Sequence, residues 1–151
     1  MIESILSKIS RLLNRVGTSK ELLPHERIVL DAWRQTLPPD VQRVLDAQLQ
    51  AADLVQRQAE GGKVCFYYPK RSSGPLFGNR AAEVHVATAT LTDSFGGKEH
   101  SMRVKLFVVN GRFFSIEFPK RPKRYVEQHN MDMTTLRVAS VEAHADPSVT
   151  T

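Results

Sequence analysis

Apolar residues recur at helical spacing up to about Gly62, then alternate or cluster in short β-branched runs from Lys63 onward. In the first half, Ile2, Ile5, Leu6, Ile9, Leu12, Leu13 and Val16 fall on one stripe, with Lys8, Arg11 and Arg15 off it. This predicts an amphipathic helix over 2–16, stopped by Gly17. A second helix is expected from Pro24, a residue suited to a first turn where no N–H is needed, to about Thr36. Ile28, Val29, Ala32 and Trp33 share its inner face, which makes the lone tryptophan a core residue. Pro38-Pro39 separates it from a third helix with Val41, Val44, Leu45, Leu49, Ala52 and Val55 inward, ended by Gly61-Gly62.

Strands are expected over Lys63–Tyr68, Ala82–Thr92, Met102–Val109, Arg112–Phe118 and Thr134–Ala143. Asn110-Gly111 between two apolar runs is a strong hairpin signal, because a type I′ turn needs positive φ at both central positions. Strict alternation puts Val84, Val86, Thr88 and Thr90 on one face and Glu83, His85, Ala87, Ala89 and Leu91 on the other. In the last strand it pairs Leu136, Val138 and Ser140 against Arg137, Ala139 and Val141. Helices followed by strands suggest an α+β fold: two to three helices packed on a mainly antiparallel meander of four to five strands. The expected division is one domain over 1–145 (helical to 62, strands over 63–145), with 146–151 a frayed tail.

A chain of 151 residues with 41% apolar and 25% charged residues can bury a core without a metal or disulfide. The single cysteine, Cys65, excludes an internal disulfide framework and a Cys-rich zinc site. No apolar run reaches the roughly 20 residues of a membrane span, and no secretory leader is recognisable, so a cytoplasmic protein is expected. The amphipathic helix lacks an aromatic anchor, so its stripe fits core or dimer packing better than a membrane surface. Ile5, Ile9, Leu12 and Leu13 are its interface residues, and a homodimer is one outcome.

The chemistry-bearing residues are scattered. His25, His85, His100, His129 and His144 show no spacing that announces a metal site. Glu83 and His85 share a predicted strand face, where a surface or half-buried pair is the simpler reading. Cys65 lies in an apolar strand and reads as a buried thiol. There is no Gly-x-Ser-x-Gly elbow and no phosphate-cradling glycine loop, so neither a catalytic residue nor a cofactor is assigned.

Charge gives the remaining lead. Twenty-one Lys and Arg against 16 Asp and Glu leave +5, which favours encounters with anionic partners. Lys70-Arg71 follows one strand, and Lys120-Arg121 with Lys123-Arg124-Tyr125 follows another. If both strand ends fall at the same edge, these residues form one anion-binding patch. No RNP-like run, KH loop or clear helix-turn-helix accompanies them. The leading expectation is therefore a non-enzymatic protein-interaction module whose basic loop edge contacts an anionic partner. Adaptors, accessory proteins and immunity-type proteins share this makeup, an analogy at the level of fold. Nucleic acid bound through the same loops is the alternative, and an enzyme of unassigned reaction is the second.

Overall fold

Two prolines start the two helices. In the computed structural model, which describes residues 22–70, 74–94, 97–120, 122 and 136–148, α1 spans Pro24–Gln35 and α2 spans Pro39–Ala51. Each opens with proline at its first position, where the missing N–H costs nothing. Glu26 Oε1 accepts the Leu23 N–H at 2.8 Å, satisfying a donor just ahead of α1. At the other end Thr36 Oγ1 donates to the Trp33 carbonyl at 2.6 Å. The amphipathic segment over 2–16, with Ile5, Ile9, Leu12 and Leu13, lies outside the described residues.

The strands are β1 (Leu54–Gln58), β2 (Lys63–Tyr67), β3 (Val84–Asp93), β4 (His100–Val109), β5 (Arg112–Glu117) and β6 (Arg137–Ala143). They form one antiparallel sheet in the order β1-β2-β5-β4-β3-β6. The α+β class agrees with the sequence reading, but the sheet has six strands and the described residues hold two helices. The extra strand is β1. Its residues were expected to continue the third helix, but α2 stops at Ala51 and Leu54–Gln58 pairs with β2. Glu60 and Gly61, at φ 56° and 85°, reverse the chain between these strands. Gly61-Gly62 thus serves a strand turn, not a helix end.

Both helices cover one face of the sheet. Trp33 of α1 stacks on Phe113 of β5 with ring centres 5.5 Å apart and meets Phe77 edge-on at 6.4 Å. Val29, Leu30, Val41 and Leu45 join Val64, Phe66, Val104, Leu106, Val108 and Ile116 in the same core. Gln48 is one of the polar side chains buried with them. Its Nε2 donates to the Pro75 and Gly111 carbonyls at 3.0 and 2.9 Å, and its Oε1 accepts the Phe113 N–H at 2.9 Å. One buried amide therefore ties α2 to the β4–β5 hairpin. That hairpin is the predicted one, with Asn110 at φ 51° and Gly111 at φ 80°.

Register shifts overturn the simple face assignment. One falls at Val86, one at Phe114 and one at Ala139. Beyond Val86, Ala87, Ala89 and Leu91 point into the core, while His85, Thr88 and Thr90 share the opposite face. In β6, Val138 and Val141 face the core side, and Arg137, Ser140 and Glu142 share the other. An extra residue inverts the alternation, and no residue type in these strands announces it. Asp146–Ser148, expected to fray, forms a turn in which Asp146 Oδ1 accepts from Ser148 N and Oγ at 2.8 and 2.6 Å. Pro147 is buried there, and its carbonyl accepts the Asn79 N–H at 2.8 Å.

Candidate functional site

The antiparallel pairing of β2 with β5 decides the fate of the predicted basic patch. Lys63, the first residue of β2, lies opposite Glu117, the last of β5. Lys70 therefore follows the end of β2 at one end of the sheet. Lys120 follows β5 at the other, just past Phe118, whose N–H donates to the Gly62 carbonyl at 2.7 Å. Both lysines are exposed, but they do not form one patch. Arg71, Arg121, Lys123, Arg124 and Tyr125 lie outside the described residues.

What the sheet does bring together is its second face, the one opposite the helices. Gln58, Lys63, Glu117, Lys105, Thr88 and Glu142 are successive cross-strand partners, a row running through all six strands. Lys63 Nζ sits 3.4 Å from Glu117 Oε1, and Arg103, one step along β4, reaches Glu142 Oε2 at 3.1 Å. Arg137 meets Glu99 at 3.3 Å on the same side. These pairs are solvent-accessible, and each is worth about 1 kcal/mol or less. Acid and base thus alternate across the face.

Beside this row lies an aromatic group. Tyr67, 37% exposed, is edge-on to Phe114 with ring centres 6.1 Å apart, and Lys63 Nζ stands 5.8 Å from the Phe114 ring. The register shift at Phe114 turns that ring to this face while Phe113 and Ile116 stay in the core. The next row runs Gln56, Cys65, Ser115, Phe107, His85. Cys65 is buried in it, and burial first of all raises its thiol pKa.

At the far end of that row two histidines meet. His85 Nε2 is 3.0 Å and His144 Nε2 2.7 Å from the Thr88 hydroxyl oxygen, and the two rings lie 4.4 Å apart. His85 also stacks on Phe107 at 5.0 Å. The shift at Val86 accounts for the meeting: it puts His85 and Thr88 on one face, and the Val86 carbonyl accepts the His144 N–H at 2.9 Å. Burial, followed by the neighbouring His144, lowers the His85 pKa below 6.5. Glu83, expected to share a strand face with His85, precedes β3. Residues 59 positions apart gave no local signal.

Among the described residues, no group of three or more His, Cys, Asp and Glu side chains is arranged to hold a metal ion. No helix among them is long and apolar enough to cross a membrane. A cavity of about 300 Å³ between the end of α1 and the chain after β6 is lined by Trp33, Leu37, Pro38, His144, Ala145 and Pro147. A smaller one of about 120 Å³, with Leu30, Leu49, Val55 and Phe66 in its wall, lies between the helices and β1. Neither gathers a nucleophile, a base and an oxyanion donor.

No protein-family model, curated protein or solved structure matches the chain.

Proposed function

We propose that this protein is a non-enzymatic protein-interaction module, an adaptor or accessory subunit, that grips a protein partner with the sheet face opposite its helices. The observation that carries this reading is the pairing of an aromatic group with a row of alternating charges on that face. Tyrosine and arginine concentrate binding energy at protein interfaces and phenylalanine is enriched there, with polar groups around them setting orientation. A polyphosphate would meet Glu117, Glu142 and Glu99 beside the bases that attract it, whereas a protein surface can match both signs. Lys70 and Lys120, at opposite ends of the sheet, then act as rim charges that speed encounter with an acidic partner.

Affinity capture from native cells tests this reading. Wild type should retain a specific protein, and the Tyr67→Ala/Phe114→Ala variant should lose it. Lys70→Glu/Lys120→Glu should keep it with a slower on-rate. Retention of the same protein by the aromatic variant overturns the reading. One feature favours single-stranded nucleic acid as a second reading: Tyr67 and Phe114 beside Lys63 offer a stacking surface next to a cation. In that case wild type recovers nucleic acid, with an affinity that falls steeply with salt.

A further inference from the structure

The sheet ends on β6, a seven-residue strand that among the described residues pairs with β3 alone. Edge strands invite further pairing and are commonly protected by proline, lysine or a bulge. Arg-Val-Ala-Ser-Val-Glu-Ala contains no proline or lysine and carries one bulge, at Ala139. Arg137, Ala139, Ser140, Glu142 and Ala143 are exposed, and Val138 and Val141 are half-buried against the core.

We infer that β6 pairs antiparallel with β6 of a second copy of this chain, making a two-fold dimer with one continuous sheet. The strand is complementary to itself in one register. With the two-fold axis between Ala139 and Ser140, Arg137 of one copy stands opposite Glu142 of the other, and Val138 stands opposite Val141. Each pair occurs twice, as an isologous interface requires. Directly opposed residues must point to the same face of a sheet. In an unbroken strand, positions five apart point to opposite faces, and this register would fail. The register shift at Ala139 removes that obstacle: Arg137 and Glu142 lie on the charged face, and Val138 and Val141 on the core side. The valines would then extend the row that runs from Met102 through Leu91 to Val138. Arg137 and Glu142 now hold Glu99 and Arg103 at 3.3 and 3.1 Å in exposed pairs, which exchange at little cost.

Charge reversal tests the register directly. Wild type should show twice the chain mass by light scattering at high micromolar concentration. Arg137→Glu and Glu142→Arg should each weaken self-association by about tenfold or more, since each sets two like-charge pairs across the interface. Mixing the two single variants should restore a dimer with one copy of each, because every 137–142 pair then joins opposite charges. The double variant carrying both changes should likewise form a homodimer. Thermal melts by circular dichroism establish that each variant is folded, and a single variant that fails to fold leaves the double variant to decide. A monomeric wild type overturns the proposal. So do folded single variants that stay dimeric, or a mixture or double variant that fails to associate.

Discussion

Arg57 closes a two-point fork on the carboxylate of Glu26, with Nε–Oε2 at 2.8 Å and Nη2–Oε1 at 2.7 Å. Glu26 is 0% exposed and also accepts the Leu23 N–H, so one acid fixes the start of α1 and anchors it to strand β1. A bidentate arginine fork is the strongest common way to hold a carboxylate away from water. Arg57→Met removes the fork and leaves a buried carboxylate with, among the described residues, the Leu23 N–H as its donor. It should lower unfolding stability in urea by about 3 kcal/mol or more, while Glu26→Gln with Arg57→Met should recover part of that loss. Equal stability of Arg57→Met and wild type would contradict this account of the contact.

The sequence shows its periodic elements and hides its breaks. Pro24–Gln35, five of the six strands and the Asn110-Gly111 turn are legible because period and turn chemistry agree there. Leu54–Gln58 is not, since a short polar-rich segment after a helix carries no period of its own; β2 selects its state by pairing with it. The charged row is invisible for a related reason. It depends on five pairings and three register shifts, and local sequence contains neither. Gln48, not among the expected inward residues of its helix, is buried because it bonds the hairpin it supports.

That hairpin supplies the second prediction. A Cβ at Gly111 would lie 2.8 Å from Arg80 Cδ and 3.1 Å from the Phe77 carbonyl oxygen, at a backbone φ of 80°. Gly111→Val should therefore cost about 2 kcal/mol or more, combining left-handed strain with crowding. Gln48→Leu should cost a similar amount by leaving the Phe113 N–H and two carbonyls without their amide partner. An unchanged urea midpoint in either variant contradicts the arrangement.

Acid should weaken the fold in a defined direction. His25 is buried edge-on to Phe118, and among the described residues neither ring nitrogen has a hydrogen-bond partner. Burial chiefly lowers its pKa below 6.5; Arg57 adds to this and Glu26 opposes it. His85 is shifted the same way. The unfolded chain thus takes up protons more readily at both positions. Their stabilising effect is complete above about pH 6.5 and declines as pH falls toward the lowered folded values, by at most about 1.4 kcal/mol per pH unit for each group. His25→Phe should flatten the fall in urea stability between about pH 7.5 and 5. An identical slope in wild type and variant would contradict the assignment.

Cys65 offers a check on the packing of the charged face. Its thiol is buried between Gln56 and Ser115 in the cross-strand row, and burial raises its pKa despite Lys63 nearby. At about pH 8 a thiol-specific reagent should label the native protein far more slowly than the urea-unfolded chain. Equal rates would mean that the row is open to solvent.

The sheet face opposite the helices is the proposed docking surface. Amide hydrogen exchange on the protein with and without its captured partner tests it residue by residue. Binding should slow exchange along β2, β4 and β5 near Tyr67, Phe107 and Phe114, and leave the exposed side of α1 and α2 unchanged. Slowed exchange confined to the helices, with no change in those strands, would contradict the account.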